Sequence, residues 1–187
     1  MTAHSAYSRA GDLFAQMRGE QVSHDVEDDG MLCGWRGLSR APLPVGEYVI
    51  DSAMAIRGLD FQPASVGAAR TFTETVLREW GVGENWENAR LLVSELVTNA
   101  CTHARPRRSG TLSEWSIQVG LVHRGSHVSL LVFDPSYREP ALRAPDRFVE
   151  GGCGLRLIEF FSSDWGWDIL DGQGKVVWAD ITMSGRS

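Results

Sequence analysis

The feature that most restricts the fold is a pair of apolar runs, Trp115 to Val122 and Val128 to Asp134, separated by the turn signal Arg124-Gly125-Ser126. Runs rich in β-branched residues on either side of a glycine-bearing turn read as an antiparallel hairpin. A hairpin this apolar needs a cover over one face. The cover stands just upstream in the sequence. Val66, Ala69, Phe72, Val76 and Leu77 recur at helical spacing and predict a helix over residues 64–80 that stops at Gly81. A second helix is expected over residues 85–103, with Val93, Leu96 and Ala100 as its core stripe. Downstream, residues 154–161 read as a third helix. Trp165 to Leu170 and Val176 to Ile181 then form a closing hairpin through Asp171-Gly172-Gln173-Gly174. Ala53 to Phe61, ended by Pro63, supplies a first strand. This order predicts an α+β two-layer sandwich, with a mixed, mainly antiparallel sheet and the helices on one face.

Regular patterning marks out one domain, residues 53–183, with a short tail at 184–187. Residues 1–52 hold an acidic cluster (Asp25, Glu27, Asp28, Asp29) and the stretch Arg40-Ala-Pro-Leu-Pro-Val-Gly46 with no sustained period, so an irregular extension is expected there. A total of 187 residues, 43% of them hydrophobic, suits a single core plus an appendage. Residues 135–152 carry Pro140 and Pro145 without periodicity, and a loop of that length in a compact domain reads as a lid or binding loop.

Composition excludes several classes. The net charge of −6, from 18 Lys+Arg against 24 Asp+Glu, leaves no strongly basic surface to neutralise a phosphate backbone, so direct nucleic-acid binding is not expected. Three cysteines, Cys33, Cys101 and Cys153, are widely spaced with no C-x-x-C, which argues against a disulfide framework or zinc ribbon and for a reducing compartment. The first residues lack a signal-peptide pattern, and the longest apolar run, around Val128 to Phe133, is far too short to span a bilayer. A cytoplasmic protein without membrane contact is the expectation. Lys175 is the only lysine, and composition alone assigns it no role. The stretch Gly174-Lys-Val-Val lacks the upstream glycine and the following Ser/Thr of a phosphate-binding P-loop, and Cys101-x-His103 lacks further metal ligands.

Three stretches carry chemistry. In Leu91-Leu-Val-Ser-Glu-Leu-Val-Thr-Asn-Ala100, Glu95 and Asn99 are one helical turn apart and project together, away from the core stripe. A carboxylate beside an amide carbonyl suits a nucleotide-bound Mg²⁺ with a base at hand, although a solvated helix face is the commoner source of such a pair. Glu150-Gly-Gly-Cys-Gly-Leu-Arg-Leu-Ile158 opens a helix with glycines, and free backbone N–H groups there make an anion cradle or, equally, a tight turn. Asp134 ends an apolar strand before Pro135, where it can accept a base amino group or simply start a turn.

Taken in order, S-E-L-V-T-N-A at 94–100, D-P-S at 134–136 and G-G-C-G-L-R-L-I-E followed by D-W-G-W and G-K-V-V-W resemble the GHKL, or Bergerat-fold, histidine-kinase-like ATPases. Within them the chain is similar to the stand-alone anti-sigma-factor serine/threonine kinases abundant in actinobacteria, over about residues 53 to 183. The resemblance implies ATP and Mg²⁺ as cofactors. It makes Glu95 the catalytic carboxylate, Asn99 the Mg²⁺ ligand and Asp134 the partner of the adenine amino group. It places Gly152, Cys153, Gly154 and Leu155 at the phosphates, with His103 as a polar neighbour one turn beyond Asn99. Lid arginines Arg138, Arg143 or Arg147 would add positive charge. The implied activity is phosphorylation of a serine on an anti-anti-sigma (STAS-type) partner by a protein that also sequesters a sigma factor, with a homodimer as an open alternative. A second reading is a protein-interaction module that uses ATP only as a conformational ligand, or no longer binds it. Two departures bear on it. Asp134-Pro-Ser-Tyr-Arg138 lacks the glycine that many relatives carry soon after the aspartate, and Val176 stands where relatives often have a threonine whose hydroxyl reaches the adenine site.

Overall fold

The computed structural model describes residues 43–50, 52–82, 86–104, 116–140, 154–170 and 174–183. The elements run β1 (Tyr48–Ile50), β2 (Met54–Leu59), α1 (Ala64–Glu79), α2 (Trp86–His103), β3 (Ile117–Arg124), β4 (His127–Asp134), α3 (Gly154–Phe161), β5 (Asp164–Leu170) and β6 (Gly174–Thr182). They build one six-stranded sheet in the order β1-β2-β3-β4-β6-β5. Every described pairing in it is antiparallel. With three helices beside the sheet, this is the α+β sandwich expected from the sequence.

The helices form for local reasons. At the start of α1, Asp60 Oδ1 accepts from the Gln62 N–H and from the Ser65 hydroxyl, at 3.2 and 2.5 Å, and so organises the entry turn ahead of Pro63. Its end is a Schellman motif. Gly81 takes φ of 70°, Val82 N–H donates to the Leu77 carbonyl, and Gly81 N–H donates to that of Arg78. α1 buries Ala69, Phe72, Val76 and Leu77, and α2 buries Ala89, Leu92, Val93, Leu96, Val97 and Ala100. Both stripes pack into one cluster with Val119, Leu121, Leu130, Val132 and Val177 from the sheet.

Strand alternation sends the intervening side chains to the opposite face. There Ile56, Val122, Leu131, Phe133, Leu170, Val176 and Trp178 make a second apolar cluster, with Leu43 and Met54 packed against it. The Trp178 indole lies over Gly166, where a β-carbon would stand 2.8 Å from it, so Gly166 is what lets the large ring lie flat on β5. Leu43 is tied to this face by Gln118, whose side-chain oxygen accepts from the Leu43 N–H and whose side-chain amide donates to the Leu43 carbonyl.

Two departures from expectation follow. β1 lies inside the segment expected to be irregular; three residues are too short to register as a pattern, and their order comes from pairing with β2, Val49 opposite Ile56. Gly58 permits it, because the Leu43 and Pro44 carbonyls occupy the place of its missing β-carbon. Val176 is the second. It is fully buried in the cluster away from the helices, so its side chain does not face the Asp134 side of the sheet, and the expected loss of a hydroxyl at the adenine site does not apply.

On that far face Asp180 is satisfied by the Ser129 hydroxyl at 2.5 Å, whereas the 6% exposed Asp168 has an oxygen, Oδ2, with no hydrogen-bond partner. Burial pushes its carboxyl up to about 6. The folded state therefore holds this proton more tightly than the unfolded chain. Its stability contribution is fully present below about pH 4 and is lost as pH rises to about 6, by up to about 3 kcal/mol. Urea unfolding of Asp168→Asn should lack this component, leaving the variant more stable than the wild type at pH 7.5 and not at pH 4. Identical pH dependence in the two proteins would contradict the assignment.

Candidate functional site

Glu95 and Asn99 sit on the half-buried side of α2, as their spacing predicts, and neither side chain makes a hydrogen bond to another described group. What they face is the first residue of α3. A β-carbon on Gly154 would stand 2.7 Å from Glu95 Oε2 and 3.5 and 3.6 Å from the Asn99 amide atoms. The glycine thus lets a helix N-terminus come down directly onto a carboxylate and an amide. The first N–H groups of α3 have no partner within their own helix, and the helix dipole favours negative charge there. Burial pushes the Glu95 carboxyl up, which makes it a stronger base than an exposed glutamate.

The other end of the site comes from the sheet. Register places Asp134, last in β4, opposite Lys175, second in β6. The Lys175 ammonium donates to Asp134 Oδ1 at 2.7 Å, and both side chains are buried. Oδ1 also accepts from the Ser136 N–H at 2.9 Å, so Asp134 does start a turn, as a strand-terminal aspartate commonly does. That turn occupies one oxygen only. Oδ2 has no described partner and remains an acceptor. Burial pushes the Asp134 carboxyl up; Lys175, the Ser136 N–H and the nearby His103 pull it part of the way back. His103 is exposed at the end of α2, one turn beyond Asn99.

Gly174 makes this corner possible. It takes φ of 101°, and the space of its missing β-carbon is filled by the Asp134 carbonyl and the Pro135 backbone.

Glu95, Asn99 and Gly154 are thus brought together where α3 meets α2, while Asp134 and Lys175 meet at the end of the β4–β6 ladder. Leu155 is different: its side chain is buried in the core, so only its backbone N–H is available to an anion. Gly152, Cys153, Arg143 and Arg147 lie outside the described residues. Arg138 is exposed, its N–H bonded to the Ser136 hydroxyl. The residue that sequence reasoning missed is Lys175, set aside together with the false P-loop. Its signal was present, since alternation along β6 puts Lys175 on the same face as the core residues Val177 and Ala179.

These features suit the two ends of a nucleotide: a helix N-terminus with a carboxylate and an amide carbonyl for phosphates and Mg²⁺, and a carboxylate oxygen free to accept from a base. The comparison with known families agrees. Residues 59–181, more than half of the chain, match the histidine kinase-like ATPase domain. The chain belongs to that family. A search of curated proteins finds no match. As a histidine kinase-like ATPase domain, the protein is an ATP-binding module, and the unspent Glu95 and Asn99 side chains beside the α3 N-terminus fit the Mg·ATP that such domains use. Among the described residues no helix is long and apolar enough to cross a membrane.

The buried ion pair sets the stability of the base end. Lys175→Met leaves Asp134 charged and unpaired and should destabilise the fold by about 3–5 kcal/mol in urea unfolding, while Asp134→Asn/Lys175→Met should recover most of that. Additive losses would mean that the two side chains are not coupled.

Proposed function

We propose that this histidine kinase-like ATPase domain is a protein serine/threonine kinase of the anti-sigma-factor type, passing the γ-phosphate of ATP to a serine on an anti-anti-sigma (STAS-type) partner and also binding a sigma factor. The observation that carries the reading is the seating of the α3 N-terminus on Glu95 and Asn99, fixed by Gly154. It brings a carboxylate, an amide and a helix N-terminus to one point, which supports the roles of general base, metal ligand and anion site for them.

The chemistry asks little of the protein beyond placement and charge. Asn99 would offer its carbonyl to Mg²⁺, which when bound would supply positive charge at the phosphates. The N–H groups opening α3 hold phosphate oxygens. Glu95 takes the hydroxyl proton of an incoming serine as its oxygen bonds to the γ-phosphorus and the bond to the β-phosphate oxygen breaks. A carboxyl raised by burial suits this role, because its basicity lies closer to working pH. Asp134 Oδ2 accepts from the adenine amino group and fixes register along α2.

The alternative, a non-catalytic module that binds ATP as a conformational ligand or has lost it, rests on an altered adenine side. Val176 on the far face removes one ground for it, and the Ser136 N–H that closes the turn on Asp134 orders the backbone where relatives carry a glycine.

Calorimetry should show Mg·ATP binding that Asn99→Ala weakens by tenfold or more, with Glu95→Ala leaving binding largely intact. Transfer of labelled phosphate to a STAS-type protein should fall about 10²- to 10⁴-fold in Glu95→Ala. Binding without transfer to any serine-bearing partner would favour the non-catalytic reading, and no binding at millimolar ATP would overturn both the kinase and the ligand role.

A further inference from the structure

We propose that Lys175 is a specificity-determining residue of the base end, its ammonium donating to a ring nitrogen of the bound base while Asp134 accepts from the neighbouring exocyclic amino group. This rests on the nucleotide reading above and adds to it a second recognition group.

A lysine ammonium carries three N–H donors. Lys175 is 6% exposed and its one described acceptor is Asp134 Oδ1, so buried donors are left over. Asp134, 4% exposed, is in the complementary condition, with Oδ2 lacking a partner beside an Oδ1 already shared between Lys175 and Ser136. Oδ2 is not one of the fully buried orphan atoms, so a ligand can reach it, and a site that holds a spare donor next to a reachable acceptor discriminates for the ligand that satisfies both. The ion pair lies on the helix side of the sheet, because Val132 and Val177, two residues from Asp134 and Lys175, belong to the core under α1 and α2. It therefore lies on the face of the sheet that α2 covers, at the end of the β4–β6 ladder.

Adenine presents the matching edge. Its amino group is a donor and the adjacent N1 an acceptor, so Asp134 Oδ2 and the Lys175 ammonium can read them together. Guanine presents a carbonyl and an N–H at the same two positions, the reverse order. The ion pair also holds the ammonium in place before the base arrives, so little side-chain freedom is lost on binding.

The test is an affinity comparison of ATP with 1-deaza-ATP, which keeps the amino group and replaces N1 by C–H, by calorimetry on wild-type protein with Mg²⁺. The analogue should bind about 10- to 100-fold more weakly, the range expected for a hydrogen bond to a charged donor. Lys175→Met should bind the two alike. The same comparison in Asp134→Asn/Lys175→Met, which carries no stranded carboxylate, serves if the single variant does not fold. Equal affinity of the wild type for both nucleotides, or discrimination that persists without Lys175, would overturn the inference while leaving the nucleotide site standing. Failure of the wild type to bind ATP at all would overturn the nucleotide reading, and this inference with it.

Discussion

The antiparallel pairing of β4 with β6 is the constraint on which the rest of this molecule depends. It runs from His127 opposite Thr182 to Asp134 opposite Lys175, and so joins the hairpin that follows the helices to the hairpin that closes the chain. One end of the ladder binds the sheet into a single unit. The other end delivers an aspartate and a lysine to the same corner, with Gly174 allowing β6 to start against the Asp134 carbonyl. Because β4 and β5 are joined through α3, the same topology lays the N-terminus of α3 on the polar side of α2. The two ends of the site are therefore consequences of one strand order.

The division of labour across the sheet follows from strand alternation. One face feeds the core under α1 and α2 and, at its rim, the ion pair. The opposite face carries a second apolar cluster centred on Trp178 and Leu131. A residue's effect on the site depends on this parity more than on its distance along the chain. Val176 is adjacent to Lys175 in sequence, yet the two side chains belong to different layers.

Much of this was legible in the sequence. The two long helices, the central hairpin and α3 follow from periodicity, turn residues and the stop at Gly81, and the α3 limits agree with those expected. Glu95 and Asn99 were readable because a four-residue spacing on a helix fixes which side chains share a face. Other features depend on pairing between distant segments. The β1 strand has no pattern of its own and exists because β2 offers an edge. Lys175 gains meaning only once register sets it opposite Asp134, and a lone lysine in G-K-V-V carries no such information. Val176 was misread because a motif comparison reports identity at a position but not the face to which its side chain points. Asp168 shows the reverse case, a buried carboxylate with an unsatisfied oxygen that nothing in D-W-G-W-D-I-L announces.

The central claim is that one nucleotide spans from the α3 N-terminus, beside Glu95 and Asn99, to the Asp134–Lys175 pair. Its most direct test is to map backbone amide chemical shifts with adenosine alone and then with Mg·ATP. The account predicts that adenosine perturbs the amides of Ser136, Lys175 and His103, and that Mg·ATP perturbs these and also Gly154 to Arg156 and Glu95 to Asn99. Perturbations confined to the α3 end with no response at Asp134 and Lys175, or centred on the Trp178 face, would contradict it.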